Sequence, residues 1–211
     1  MIFSIPLRSK QSTKDWDNVS HRLKVTIDSI FAQTKQDFLI VIAGHEKPDF
    51  LNQDYYKDIV FLTVPFPTPT EQSQFMADKL GKKRYTGSYI NRLLKEDEFR
   101  IVMQMDADDI IHPEFIENIS NIFHHDPSID DVALMSGYAF DFKRQKLAFL
   151  NGVDKLFYRN CGSSFISKVF KRDLSENINE KSYFNSLVNH VSFPNIAREM
   201  VEKFLNLIIQ E

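Results

Sequence analysis

Three aspartates stand where a mostly apolar run of the sequence ends. The run covers residues 99–105, and Asp106, Asp108 and Asp109 follow it before Pro113. Side chains alternate between the two faces of an extended chain, so we expect Asp106 and Asp108 to point the same way and Asp109 the other way. Two carboxylates on one side suit a hard cation such as Mg²⁺ or Mn²⁺, with positions left for substrate phosphates. An ordinary acidic turn before a helix is the alternative interpretation.

Basic residues concentrate upstream of these acids. The segment 78–84, Asp-Lys-Leu-Gly-Lys-Lys-Arg, is the densest basic patch in the chain. Lysine and arginine side chains both pair with phosphate groups. For Lys82 and Lys83 themselves we expect solvated side chains at the end of a helix. A polar loop over residues 8–14 follows the first predicted strand and is rich in groups that bind phosphate or a base.

Apolar runs predict the strands that must position these groups. A strand that is covered on both faces carries apolar side chains on both, and so reads as a continuous apolar run. The run at residues 38–43 is of this kind, and mostly apolar runs at residues 2–7, 59–64 and 99–105 predict three further strands. Further along, residues 132–142 and 146–150 predict an antiparallel hairpin, and residues 161–166 predict one more strand.

Apolar residues at three- and four-residue steps predict the helices. Thr70 is expected to cap a helix that Gly81 ends, because threonine is a common N-cap and glycine a common C-terminal stop. Pro113 suits the first position of a later helix. The predicted helices cover residues 16–33, 71–81, 89–95, a segment beginning at 113, and 196–209. The last is expected to pack on the domain, and a membrane-surface helix and a contact between two copies are the alternative interpretations.

Strands and helices alternate in the first half of the chain, and the second half is richer in strands. This order predicts an α/β protein with a mixed, mostly parallel sheet flanked by helices. The chain has 211 residues, of which 43% are apolar, so it is long enough to bury one sizeable core. We therefore expect a single domain over residues 1–211.

The net charge and the cysteine content indicate which partners and which cellular compartment to expect. The formal net charge is −3, so a general attraction to nucleic acid is not expected. A lone cysteine, Cys161, forms no internal disulfide and fits a reducing compartment. The N-terminus lacks the pattern of a signal peptide, and no apolar stretch reaches the length of a membrane span. These features predict a cytoplasmic protein, with the inner face of the membrane as an alternative location.

The motifs also occur in an order known from a protein family. Residues 26–34, Thr-Ile-Asp-Ser-Ile-Phe-Ala-Gln-Thr, precede an apolar strand, and residues 105–109, Met-Asp-Ala-Asp-Asp, precede a helix. With an N-terminal strand that ends near Pro6 and a basic segment before the acids, this order resembles the family-2-like nucleotide-sugar glycosyltransferases of the GT-A fold. The resemblance covers the first two thirds of the chain.

This resemblance implies a GT-A type nucleotide-diphospho-sugar transferase fold, with a nucleotide-binding half over 1–112 and an acceptor-side half over 113–211. It implies transfer of a sugar from a nucleotide-diphosphate donor, expected to be a UDP-sugar, to a glycan or another hydroxyl acceptor. The implied cofactor is Mn²⁺ or Mg²⁺. Its implied ligands are Asp106 and Asp108, with His190 as a further ligand from the later part of the chain.

The resemblance also assigns the donor-binding residues. They are Pro6, Arg8, Glu46, Lys79, Arg84 and Asp106. Relatives commonly carry acidic residues followed by Gly-Ser after the second strand, whereas residues 43–46 read Ala-Gly-His-Glu here. Either Glu46 substitutes in holding the nucleoside, or the nucleoside is held by other residues.

An inverting transferase also needs a general base for the acceptor hydroxyl. In the family this is an acidic residue of the last third of the chain, and Asp173, Glu176 and Glu180 are the candidates. Glu180 is preferred because it precedes the aromatic pair at 183–184.

Two other functions stay open at the level of sequence. One is a non-catalytic relative that binds a nucleotide or a glycan, since no acidic motif marks the base. The other is a nucleotidyltransferase, although that class would need a glycine-rich phosphate loop after the first strand, and residues 8–14 contain no glycine.

Overall fold

The computed structural model describes residues 1–141, 144–150, 161–175 and 200–201, and residues 157, 177, 182 and 184. Within them the strands are β1 (Ile2–Pro6), β2 (Leu39–Gly44), β3 (Val60–Thr63), β4 (Phe99–Gln104), β5 (Asp131–Ala133), β6 (Gly137–Asp141), β7 (Lys146–Leu150), β8 (Phe165–Phe170) and β9 (Met200–Val201). The α-helices are α1 (Trp16–Phe31), α2 (Phe75–Leu93) and α3 (Phe115–His125).

The main sheet has the strand order β3-β2-β1-β4-β8-β5-β9. The first four strands in this order are parallel to one another, and β8 runs antiparallel between β4 and β5. The predicted α/β class and the mostly parallel mixed sheet are therefore confirmed. The four apolar runs that predicted the parallel strands also match their observed positions closely.

Helices cover both faces of this sheet because the side chains of its strands alternate. In β1, Phe3 and Ile5 pack in the cluster that holds the buried residues of α1 and α3. Ile2 faces the opposite side, where Ile90 of α2 belongs to a second cluster. The predicted flanking helices are thus present, with α1 and α3 on one face and α2 on the other.

Helix α1 begins where its sequence predicts. The Asp15 side chain accepts a hydrogen bond from the Asn18 backbone N–H at 2.9 Å, which satisfies one of the open donors of the first turn. The buried side of the helix carries Leu23, Ile27 and Ile30, as its apolar spacing indicates.

The prediction of two helices between β3 and β4 is wrong, because α2 is one helix that continues through Gly81. Thr70 does not cap it, since a short 3₁₀ turn intervenes and Gln74 at the N-cap makes no side-chain cap bond. Gly81 instead lets the helix approach the Phe66 ring, which lies 3.2 Å from where a Cβ would be. Tertiary packing thus overrides the local stop signal.

Small and hydroxyl side chains let α2 lie close to the sheet. Ser4 of β1 makes a short hydrogen bond to Thr86 of α2 and donates to Gln104 Oε1 at 3.1 Å. Further along the helix, Gly87 leaves room for the ring of Phe184. The helix therefore packs against β1 and β2, and the Ser4 hydroxyl links it to Gln104 of β4.

The second half of the chain departs from its prediction in three places. The predicted antiparallel hairpin is present as β6 and β7, which form a separate two-stranded sheet. The first strand predicted over residues 132–142 is wrong in its bounds, because its beginning belongs to β5 of the main sheet and β6 starts only at Gly137. Strand β8 begins at Phe165, later than predicted for residues 161–166. Met200 and Val201 pair with β5 as a strand, so the helix predicted over 196–209 is wrong at these two residues. The rest of that segment lies outside the described residues.

None of the helices in the described part of the chain combines the length and the apolar character that a membrane crossing requires.

The two glycines of α2 offer a test of this packing. A Cβ at Gly87 would stand 2.4 Å from Cε1 of Phe184, whereas a Cβ at Gly81 would stand 3.2 Å from the Phe66 ring. Gly87→Ala should therefore lower the free energy of unfolding by about 1–3 kcal/mol, the usual cost of overpacking. Gly81→Ala is the matched control, since alanine favours a helix by about 1 kcal/mol and offsets its milder contact.

Urea denaturation of both variants measures the difference. A Gly87→Ala protein that is as stable as the Gly81→Ala protein would contradict the placement of Phe184 against α2.

Candidate functional site

The strand order places a natural ligand position between β1 and β4. The chain moves outward from β1 to β2 and β3, and then returns through α2 to pair β4 with the other side of β1. At such a switch point the connections after the two strands diverge and leave a crevice at the carboxyl ends of the strands. Residues 6–8 begin at the last residue of β1, and residues 106–108 follow β4. Both segments line a cleft of about 420 Å³.

Charged side chains of both signs line this cleft. The cations are Arg8, Arg22, Lys79 and Lys82, and the anions are Asp15, Asp78, Asp106 and Asp108. They come from the loop after β1, from α1, from the start of α2 and from the segment after β4. The sequence separations are large, so the cleft exists only in the folded chain.

Helix α2 contributes four charged residues along its side nearest the cleft. Asp78, Lys79, Lys82 and Lys83 are separated by one, four and five positions, a spacing that places them on adjacent turns of one helix side. The expectation of solvated side chains for Lys82 and Lys83 is wrong, since each is only 1% exposed. Their burial follows from the continuation of the helix beyond Gly81, which brings both side chains under the cleft.

Lys82 is held by a buried chain of polar groups. Its Nζ lies 2.6 Å from Asp78 Oδ2, and the other carboxylate oxygen of Asp78 lies 2.8 Å from His45 Nε2. Burial lowers the pKa of the Lys82 ammonium, and Asp78 opposes that shift. His45 follows β2 in sequence, so this chain links the ends of two elements beneath the cleft.

Asp106 is held by two lysines of α2. Lys79 Nζ donates to Asp106 Oδ2 at 2.7 Å, and Lys83 Nζ lies 3.8 Å from Asp106 Oδ1. Burial lowers the pKa of Lys83 to about 8, although Asp106 favours the charged form. Gly162 lies against the same carboxylate, and a Cβ there would stand 2.4 Å from Asp106 Oδ2. The Asp106 carboxylate is thus fixed from several sides.

The acidic segment is a turn instead of an extended strand. Strand β4 ends at Gln104, and the Asp109 N–H donates to the Asp106 carbonyl at 3.4 Å. Asp106 and Asp108 both line the cleft, but strand alternation is not the reason.

Asp109 is turned toward the loop before β8. Ser163 makes a short hydrogen bond to Asp109 Oδ2, and the Ser163 hydroxyl oxygen accepts from the Asp106 N–H at 2.7 Å. Burial raises the pKa of Asp109. Burial and the nearby Asp109 raise the pKa of the Cys161 thiol to about 12, so this cysteine is not a thiolate nucleophile.

Arginines close the opposite side of the cleft. Arg22 of α1 lies 3.4 Å from Asp108 Oδ2, and about half of each side chain is exposed. The Arg8 guanidinium donates to the Ser12 carbonyl and stacks over the Phe75 ring at 4.9 Å. Both cations remain accessible at the cleft, where a ligand would meet them.

The side chains that line the cleft can be compared with the ligands that a divalent cation requires. No group of three histidine, cysteine, aspartate or glutamate side chains suited to a metal occurs among the residues that the structure describes. Asp106 and Asp108 nevertheless offer hard oxygen donors to the same cleft, and a carboxylate has more acceptor positions than the one that Lys79 uses. The donor set therefore fits Mg²⁺ or Mn²⁺ only when substrate oxygens complete the coordination.

The cleft gathers most of the predicted donor-binding residues and omits two. Pro6, Arg8, Lys79 and Asp106 all line it. Arg84 lies one position beyond the buried lysines and is absent from the lining, and in the described part of the chain its buried Nε has no hydrogen-bond partner.

Glu46 is likewise absent from the lining. Its carboxylate accepts the Lys10 backbone N–H at 2.9 Å. It therefore fixes the loop after β1 and does not face the cleft.

The candidate bases are less well placed. Asp173 is buried after β8, and its carboxylate accepts the Phe170 N–H at 2.9 Å, away from the cleft lining. Glu176, Glu180 and His190 lie outside the described residues.

Sequence reasoning missed His45, Asp78 and Lys82 as members of one polar chain. The four-residue step between Asp78 and Lys82 was visible, but a helix end assigned to Gly81 separated the two residues.

The pair of Asp78 and Lys82 should behave as a buried ion pair. Removing one partner leaves the other charge buried, so Asp78→Asn should lower the free energy of unfolding by about 3 kcal/mol. The double variant Asp78→Asn, Lys82→Met should recover a large part of that loss, because no uncompensated charge remains.

Urea denaturation of the two single variants and the double variant gives the coupling between the sites. Additive losses in the double variant would show that the two charges do not depend on each other. The exposed pair Lys57→Met, Asp54→Asn is the matched control, since its 3.7 Å contact is solvated and should give almost no coupling.

Similarity to characterised proteins does not assign this cleft a function. A scan against models of protein families finds no family that matches the chain, and a search of curated protein sequences finds no match. The function is therefore argued from the cleft itself and from the order of the motifs that line it.

Proposed function

We propose that the protein is a metal-dependent glycosyltransferase of the GT-A type, which binds a nucleotide-diphosphate sugar in the cleft between β1 and β4. The observation that carries the proposal is the meeting of Asp106 and Asp108 with Lys79 and Lys82 at the switch point of the sheet. Acidic and basic side chains that meet at such a crevice favour an anionic ligand that binds together with a cation.

The cations of the chain would hold the diphosphate. Lys79 and Lys82 reach the cleft from α2, and Arg8 and Arg22 reach it from the opposite side. Arginine offers a planar fork to phosphate oxygens, and lysine offers a compact charge. The nucleoside would then lie toward the loop after β1, and a UDP-sugar is the proposed donor.

The reaction breaks the bond between the anomeric carbon and a phosphate oxygen, and the electron pair leaves with that oxygen. Lys79 and Lys82 stabilise the negative charge that gathers on the leaving diphosphate. Mn²⁺ or Mg²⁺, held by Asp106 and Asp108 with substrate oxygens, would supply Lewis-acid stabilisation of the same group. The acceptor, a glycan or another hydroxyl compound, forms the new bond to the anomeric carbon.

The acceptor hydroxyl loses its proton to a general base. Asp173, Glu176 and Glu180 remain the proposed candidates, with His190 as a proposed additional metal ligand. The proposed place of the reaction is the cytoplasm, in line with the single cysteine of the chain.

Lys79 and Arg84 provide a matched test of diphosphate binding, because both are basic residues of α2 and only Lys79 lines the cleft. Lys79→Gln should weaken UDP binding about 10-fold or more, since it removes a charge-assisted hydrogen bond and leaves Asp106 to repel the ligand. Arg84→Gln should change the affinity less than about 2-fold.

Isothermal titration calorimetry with UDP measures both affinities, and thermal melting of the free variants checks that each is folded. Equal weakening in the two variants, or no binding of any nucleotide diphosphate by the wild type, would overturn the assignment of this cleft.

Asp108 tests the proposed cation. Its side chain is 54% exposed at the cleft, whereas Asp109 is turned toward Ser163. Asp108→Asn should abolish the increase in UDP affinity that Mn²⁺ produces in the wild type, because a neutral amide is a weaker ligand for a hard cation. Asp109→Asn, the control, should retain that increase.

Titrations with UDP in Mn²⁺ and in EDTA give the increase for each protein. An undiminished Mn²⁺ effect in Asp108→Asn would exclude this residue as a ligand. Hydrolysis or transfer of a UDP-sugar by the wild type then separates an enzyme from a non-catalytic nucleotide-binding protein.

A further inference from the structure

His45 has a buried polar side chain that the proposed sugar transfer does not use. The residue directly follows β2, and 7% of its side chain is exposed. It does not line the cleft, whereas Asp78, which lies between it and Lys82, does. A buried imidazole outside the lining can act on a ligand in the cleft only through the groups that it holds.

The hydrogen bond between His45 and Asp78 has a fixed direction. A carboxylate only accepts hydrogen bonds, so Nε2 of His45 carries a proton and donates it to Asp78 Oδ1 at 2.8 Å. The other oxygen of the carboxylate, Oδ2, accepts from Lys82 Nζ at 2.6 Å. Each oxygen of Asp78 therefore has its own donor, and the carboxylate cannot turn without losing one of these bonds.

The Phe66 ring fixes His45 relative to α2. It meets the imidazole at its edge, with the ring centroids 5.7 Å apart and the ring planes at 89°. The same ring packs on Gly81, the residue before Lys82, at 3.2 Å from where a Cβ would be. One aromatic side chain thus contacts both the histidine and the helical turn that carries Lys82.

Lys82 is the end of this polar chain that a ligand can meet. It lines the cleft although it is only 1% exposed, whereas Lys83, which is equally buried, is absent from the lining. Burial lowers the pKa of Lys82 and Asp78 opposes that shift, so Asp78 favours the ammonium form. The ammonium is also the form that attracts a phosphate group.

We propose that His45 is a positioning residue of the diphosphate site, because its hydrogen bond to Asp78 holds the Lys82 ammonium in place at the cleft. This role rests on the proposed function, in which Lys82 binds the diphosphate of the donor. Without the His45 donor, the Asp78 carboxylate would be free to turn, and its charge would be directed at Lys82 alone. Both changes weaken the attraction of Lys82 for an anion.

Two amide substitutions at position 45 test this role. In His45→Gln the amide reaches the place of Nε2 and still donates to Asp78, whereas the shorter amide in His45→Asn does not reach. By isothermal titration calorimetry, His45→Asn should bind UDP and inorganic pyrophosphate about 3-fold more weakly or worse, since one hydrogen bond is lost. His45→Gln should stay within about 2-fold of the wild type. Thermal melting checks that both variants are folded.

Two further backgrounds separate this role from general damage to the cleft. In an Asp78→Asn protein the polar chain is already broken, so the addition of His45→Asn should cause no further loss of affinity. In a Lys79→Gln protein, His45→Asn should cause its full loss, because Lys79 pairs with Asp106. An equal further loss in the two backgrounds would show that His45 does not act through Asp78.

Nuclear magnetic resonance of the wild type adds a measurement that does not depend on the stability of a variant. The ring nitrogen resonances of His45 should shift when pyrophosphate binds, because Lys82 then draws less on the carboxylate that the two residues share. Those of His124, which is exposed near the end of α3, should not shift.

Three results would overturn the role of His45 and leave the assignment of the cleft intact. They are equal affinity in His45→Asn and the wild type, equal losses in His45→Asn and His45→Gln, and ring resonances of His45 that stay fixed while pyrophosphate binds. A wild type that binds neither UDP nor pyrophosphate would instead overturn the proposed function, and this role with it.

Discussion

Burial of two ammonium groups on α2 (Phe75–Leu93) is the constraint on which the cleft depends. A charge that leaves water costs several kcal/mol unless a partner of opposite sign is fixed beside it. Lys82 meets this requirement within the helix, through Asp78 one turn earlier. Lys83 meets it across the fold, through Asp106 at the exit of β4. The second contact, at 3.8 Å, links the helix to the strand end, and Lys79 of the same helix donates to the same carboxylate at 2.7 Å.

The strands could be predicted because a strand that is buried on both faces has apolar residues at successive positions. The runs that became β1 and β2 are apolar at nearly every position, and no helical or alternating pattern competes with them. Helix α2 could not be bounded in the same way. Gly81 is a stop signal in isolation, and only the Phe66 ring beside it, distant in sequence, shows why a small residue stands inside the helix.

The site was predictable in its residue types and not in its geometry. Three neighbouring aspartates after a strand indicate a functional edge, and Asp106 and Asp108 do line the cleft. The strand-like alternation that was assumed for the three aspartates was wrong, because the strand ends at Gln104 and Asp109 is hydrogen-bonded to Ser163. The burial of Lys82 could not be predicted from the neighbouring sequence. Lysine is almost never buried unless it is paired, and the fold is needed to bring His45 to Asp78, the partner of Lys82.

The balance of charge in the cleft restricts the kind of ligand that suits it. Three of its cations already face an aspartate: Arg22 faces Asp108, Lys79 faces Asp106 and Lys82 faces Asp78. An anion alone must compete with these carboxylates, and a cation alone must compete with the basic groups. A diphosphate that arrives with a divalent cation would bring both signs: the basic groups would gain an anionic partner, and Asp106 and Asp108 would gain a cationic one. Because these charged side chains are already held in place, they need little reorganisation when such a ligand binds. Electrostatic stabilisation of a leaving group is most effective under this condition.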